Sequence, residues 1–384
     1  MMRDTTAAAG GTADPFADQF PASYRESRER LLERVHALST RHETLIDSRA
    51  IDERGPSGET LALDFVIFGA RRPRQALVVS SGTHGVEGYA GAAVQQWMLD
   101  RLLPGLELDA QTAIVIQHAN NPYGFAWHRR VNENNVDINR NFLRHFDPSL
   151  CSADYELLFE CLNPADMDPE RERQRLATIE AFVEQHGLRH FQQVFAEGQY
   201  KYPHGMQFGG HHLSASVAHL LQLAGDHLAD SDRVMWLDFH TGLGEFAACE
   251  VITGAAIGSD EYRLANQVWP DRVKSATGGE SISTPLNGVF SEGMPGALPA
   301  RCRFAFGFPE YGTYPPERVF RAMRADNWLH RFGDLSDATG RAIKDEMLEA
   351  FSPADPRWQR QVVATGAALI EQALAWLPGA RQRR

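Results

Sequence analysis

The chain has 384 residues, 43% of them hydrophobic and 23% charged, and a formal net charge of −12. That composition excludes a disordered or fibrous protein and is enough for a sizeable core in one large domain or two. The acidic balance argues against a sequence-independent nucleic-acid binder, which needs basic surface to displace counterions.

No apolar run reaches the roughly 18 residues of a membrane span, and residues 1–21 lack the charged-then-apolar pattern of a signal peptide, so no membrane partner and a cytoplasmic location are expected. Cys151, Cys161, Cys249 and Cys302 are scattered without a Cys-x-x-Cys pair, as in a protein with reduced, structural thiols.

Residues 1–22 read as a flexible leader, its start rich in Ala, Gly, Thr and Asp, and 23–384 as a single domain. Apolar spacing predicts a helix over 25–38, strands over 61–68 and 75–79, a helix over 90–102 and a strand over 112–118. Residues 153–186 read as helical and 190–196 as a further short helix. Residues 197–212 are rich in Gly, Tyr, Phe and His, which suggests a pocket-lining loop. A helix over 213–228 leads to strands at 234–239 and 250–253, a helix at 261–268, a strand at 303–308 and closing helices at 316–331 and 357–377. Strands separated by helices imply an α/β fold with a mixed, mostly parallel sheet flanked by helices.

Functional chemistry concentrates in Ser80-Ser81-Gly82-Thr83-His84-Gly85-Val86-Glu87-Gly88. An imidazole and a carboxylate stand three positions apart on a tight, glycine-rich connection between a strand and a helix. Hydrolytic zinc sites use three protein ligands and keep a fourth position open, and two histidines with one carboxylate form one such set. His84 and Glu87 supply two ligands. Ligands in open α/β sheets bind beyond the carboxyl ends of strands, and His240 follows the apolar run 234–239 and precedes Thr241-Gly242. His118, His204, His211 and His212 are its competitors.

Between these positions lie Asn121-Pro122-Tyr123-Gly124, Arg129-Arg130 and Val136-Asp137-Ile138-Asn139-Arg140-Asn141-Phe142. The first is turn chemistry at a strand end. The last sets an acid, an amide and a guanidinium close together, and a guanidinium grips a carboxylate with two parallel hydrogen bonds.

His84-x-x-Glu87, Asn121-Pro122-x-Gly124, Arg130, residues 136–142, His240 and Glu310 occur in the order and contexts of the zinc carboxypeptidase superfamily, which the chain resembles over about residues 60–330. Ser-Gly-Thr-His-Gly-Val-Glu-Gly and Glu310-Tyr311-Gly312-Thr313-Tyr314 look like its DUF2817 branch. The resemblance implies a zinc carboxypeptidase-like fold and one Zn²⁺ per chain held by His84, Glu87 and His240. It implies Glu310 as general base and Arg130 as the residue that stabilises the oxyanion, with Arg129 the alternative. It implies further that Asn139 and Arg140 hold the free α-carboxylate of a peptide or acyl-amino-acid substrate and that Asp137 orients His84.

Two departures from the family stand out. Digestive members carry a tyrosine in a mobile loop before the glutamate, and residues 281–303 contain none, so Tyr311, Tyr314, a residue of the 197–212 loop or no residue takes that part. His240-Thr241-Gly242 is closer to the acyl-amino-acid deacylases of the same superfamily. The implied activity is cleavage of an amide next to a free carboxylate, with an N-acyl amino acid deacylase and a non-catalytic binding protein as the alternatives.

Overall fold

The computed structural model describes residues 14–382. In chain order its elements are α1 (Tyr24–Leu38), β1 (Thr44–Arg54), β2 (Thr60–Gly69), β3 (Gln75–Ser81), α2 (Gly88–Trp97), β4 (Leu106–Leu108), β5 (Thr112–His118), α3 (Pro122–Ala126), α4 (Ala153–Leu162), α5 (Pro169–His186), α6 (Leu188–Ala196) and α7 (Ala215–His227). There follow β6 (Arg233–Thr241), β7 (Cys249–Thr253), α8 (Asp260–Val268), β8 (Val273–Ser275), α9 (Phe290–Gly293), β9 (Arg303–Tyr311), α10 (Pro316–Phe332), α11 (Ala338–Phe351), α12 (Pro356–Leu374) and β10 (Ala380–Gln382).

Eight strands form one sheet in the order β1-β2-β5-β3-β6-β9-β7-β8. The central four, β5, β3, β6 and β9, are mutually parallel. Antiparallel pairings join β2 to β5, β1 to β2 and β7 to β9, and β8 runs parallel to β7. The expected mixed, mostly parallel α/β sheet is therefore the one that forms.

Strand β3 is apolar through Ala76-Leu77-Val78-Val79 because helices cover both faces of the sheet. Successive side chains point to opposite faces. Leu77 and Val79 join the cluster that contains Trp358 and Ile370 of α12, whereas Ala76 and Val78 join the one with Leu220 and Leu223 of α7.

Several features differ from the sequence reading. Strand β1 is absent from it, because Thr44–Arg54 is a charged edge strand whose side chains are mostly exposed or half-buried. Helix α11 is also absent from it, and the helical stretch 153–186 is two helices, α4 and α5, interrupted at Asn163 and restarted by the Asp168 cap with Pro169 in the first turn. Of the leader expected over 1–22, residues 1–13 lie outside the described residues, and Phe16 and Phe20 pack against the core. Among the described residues no helix is long and apolar enough to cross a membrane.

His118, one of the competing histidines, ends β5 inside the core with its Nε2 2.8 Å from Ser27 Oγ. Burial pushes its imidazole down to about 4, and pushes His128 to about 4 and His330 to about 3. The folded forms thus resist protonation that the unfolded chain accepts near pH 6.5. Their contribution to stability is complete above that pH and declines as pH falls towards 4, by about 3 kcal/mol for His118 alone. The thermal midpoint should drop steadily between pH 7 and pH 4.5; a flat profile would rule this out.

Candidate metal centre

The centre forms where β3, β6 and β9 end side by side. In register, His240 of β6 pairs with Glu310 of β9, so both side chains emerge at the same level. After β3 the chain turns at Gly82, whose φ of +69° suits glycine. At Gly85 a Cβ would lie 2.1 Å from the backbone carbon of Gly124, so the absence of a side chain lets the His84–Glu87 turn sit directly on the Asn121–Gly124 turn. Gly85 and Val86 N–H donate to the carbonyls of Arg130 and Arg129, which locks the two motifs together.

The side chains of His84, Glu87 and His240 are buried, and their donor atoms lie within 4.8 Å of one another. It is the only such group of three among the described residues. His84 Nδ1 lies 3.1 Å from His240 Nδ1 and 2.9 Å from Glu87 Oε1, and His240 Nδ1 is 3.1 Å from Glu87 Oε2. Tetrahedral ligands about 2.0–2.2 Å from one zinc ion stand roughly 3.3–3.6 Å apart, close to these separations.

The far side of each ring faces an acid. Asp238 Oδ2 is 2.8 Å from His240 Nε2, and Asp137 Oδ1 is 3.3 Å from His84 Nε2. A proton on each Nε2 leaves both Nδ1 lone pairs directed at a common point, the carboxylate–histidine arrangement of zinc sites. Asp238 is itself held by Ser80 Oγ at 2.6 Å and Thr83 Oγ1 at 2.7 Å.

Charge supports the same fit. Glu87, Asp137, Asp238 and Glu310 bring four carboxylates, each at most 5% exposed, against the two guanidiniums of Arg130 and Arg140. The surplus of two negative charges matches a divalent cation. Without one, protons supply the balance. For His240 burial opposes protonation, but Asp238 and Glu87 outweigh it and raise the ring to about 10. Burial and the charge of Glu87 push Glu310 up to about 8. Glu87 goes the other way, to about 2, because His84 and His240 together override its burial.

Arg130, not Arg129, faces this centre. Its Nη1 bonds Asp137 and, at 2.9 Å, Gln207 Oε1, while Nη2 lies 2.7 Å from His84 Nε2. Arg129 turns away to Asp326 and Asn135. A cation on His84 Nδ1 leaves the ring proton on Nε2, which selects Asp137 as partner and frees the Arg130 N–H for the cleft.

Arg140 is 2% exposed. Its Nε and Nη2 donate to Ala196 O and its Nη1 to Asn139 O. A guanidinium has five N–H groups, so two remain, one on each Nη. Asn139 Oδ1 accepts from Phe290 N–H. Glu310 Oε1 accepts from Leu243 N–H at 2.9 Å.

The tyrosines are engaged elsewhere. Tyr311 donates to Val362 O at 3.2 Å, Tyr200 to Arg140 O at 2.6 Å, and Tyr314 to Glu349. His211 and His212 bond the backbone oxygens of Tyr200 and Leu213.

Asp238 is absent from the sequence reading, although its signal was present: it stands two residues before His240 on one strand, hence on the same face. Asp238→Asn keeps the shape but removes the charge behind the ring, and should weaken zinc binding about 10- to 100-fold. Competition against a chelating dye measures this; unchanged affinity would refute it.

Fold and site together define an α/β protein with a two-histidine, one-carboxylate cluster whose donor atoms could hold a metal ion. The chain belongs to the DUF2817 family, whose model, described as a protein of unknown function, matches residues 20–365. No curated protein matches the chain in sequence. Among solved structures it is similar to carboxypeptidase A from Helicoverpa armigera, at 12% identity and a TM-score of 0.43, over 86% of this chain and 74% of that one. Bovine thrombin-activatable fibrinolysis inhibitor, solved with tick carboxypeptidase inhibitor, gives 11% identity and a TM-score of 0.44 over 91% and 98%. A succinylglutamate desuccinylase from Silicibacter sp. TM1040 gives 12% and 0.35 over 80% and 65%.

Proposed function

We propose that this protein is a zinc-dependent hydrolase that cleaves an amide bond next to a free carboxylate, in the manner of a metallocarboxypeptidase. The observation that carries the reading is the convergence of His84, Glu87 and His240 beside the buried carboxyl of Glu310. Zinc held by those three side chains supplies a Lewis acid and makes water a nucleophile at neutral pH.

The remaining work falls to the chain. Leu243 N–H fixes one oxygen of Glu310, leaving the other to take a proton from the attacking water and pass it to the leaving nitrogen. Arg130 offers its guanidinium where negative charge develops on the carbonyl oxygen. Arg140, oriented by Ala196 O and Asn139 O, directs its two remaining N–H groups to the substrate carboxylate, with Asn139 alongside. Asp137 and Asp238 hold the two imidazoles in the tautomer that binds metal. The single domain expected over 23–384 contains every one of these groups.

An N-acyl amino acid deacylase is the second reading. It is favoured by the engagement of Tyr200, Tyr311 and Tyr314 away from the centre, which leaves no tyrosine hydroxyl of the digestive kind among them. Metal analysis of purified protein, combined with a panel of unblocked peptides and N-acyl amino acids assayed with and without chelator, tests both. One zinc per chain and chelator-sensitive release of C-terminal residues are expected. Turnover restricted to N-acyl amino acids would establish the deacylase, and bound zinc with no turnover would leave a binding protein.

A further inference from the structure

The 197–212 loop, rich in aromatics and histidine, sets one side chain against Arg130. Gln207 is 4% exposed and adopts a φ of +59°, an uncommon conformation for a residue with a long side chain. Its neighbours impose that conformation. Met206 N–H donates to Asn163 Oδ1 at 2.7 Å and Met206 O accepts from Tyr155 Oη at 2.7 Å. Phe208 O accepts from Asp137 N–H at 2.8 Å, and Gln207 O accepts from Gln199 N–H at 3.0 Å. The backbone is pinned on both sides of a strained residue, which directs its side chain at Arg130.

The chemistry of the contact fixes the orientation of the amide. Arginine only donates, so the oxygen of Gln207 must face Arg130 Nη1 and the NH₂ group must point away from it.

We propose that Gln207 is a positioning residue for the oxyanion site: through Oε1 it holds the Arg130 guanidinium in place to meet the carbonyl oxygen as negative charge builds there. This rests on the hydrolase reading above. A donor poised in a fixed, partly desolvated position acts on the transition state more than on the bound substrate.

Two neutral variants test the assignment in the zinc-loaded enzyme. Gln207→Met keeps the side-chain length and the backbone strain without an amide, and Gln207→Gly relieves the strain as well. Both should lower kcat about 100-fold with little change in KM. A phosphinic dipeptide, a tetrahedral anion, should lose affinity by a similar factor while the carboxylic product binds as before. Wild-type kcat in both variants, or equal weakening of phosphinate and product, would overturn the proposal. If the wild type hydrolyses nothing on the panel, the hydrolase reading fails, and the phosphinate-to-product comparison still judges Gln207 by itself.

Discussion

The Glu310→Gln enzyme is expected to bind zinc and substrate as the wild type does and to turn substrate over about 100- to 10,000-fold more slowly, the range for a lost general base. The change is nearly isosteric, and the amide oxygen still accepts from Leu243 N–H. What disappears is a proton acceptor whose affinity suits the task. Burial and the neighbouring Glu87 raise this carboxyl well above the ordinary range, and a cation beside it would pull the other way, so its proton affinity is set by the occupied centre. Folding should not suffer, because a buried carboxylate that repels Glu87 has been removed. Steady-state kinetics with metal content measured on the same sample decide the matter. Retention of more than a tenth of wild-type kcat would exclude Glu310 as the base.

Stripping the metal should unsettle the fold as well as abolish turnover. With free zinc 1,000-fold above Kd, the bound form gains about 4 kcal/mol over a chain that cannot bind, which for a domain of this size is a loss of several degrees in thermal midpoint on chelation. The cause lies in the four buried carboxylates, whose surplus charge then has to be met by protons on His240 and Glu310. Glu87→Ala removes one ligand and one of those charges. Its midpoint should no longer respond to chelator, and its zinc content should fall. A wild-type midpoint indifferent to chelator, or Glu87→Ala with full zinc occupancy, would contradict the ligand assignment.

Much of the centre could be read along the chain because its parts are local. His84 and Glu87 share one turn, residues 136–142 form one loop, and His240 and Glu310 each end an apolar strand with a legible period. The central strands β3, β5, β6 and β9 were equally plain, since burial on both faces leaves continuous apolar runs. Edge and surface elements were harder. Strand β1 carries polar side chains on a face that meets solvent, and α11 buries only Gly340, Met347, Ala350 and Phe351, too sparse an apolar stripe to mark a helix.

Residue types and spacings alone determined that the chain is an α/β protein with two imidazoles and a carboxylate available for one cation, because those features follow from short-range periodicity and from which groups follow a strand. The choice of Arg130 over Arg129, the acid behind His240, the partners of Arg140 and the strained Gln207 beside the guanidinium were decided only in three dimensions. Each depends on contacts between segments tens of residues or more apart, or on which way adjacent side chains turn, and packing sets those directions where local sequence does not.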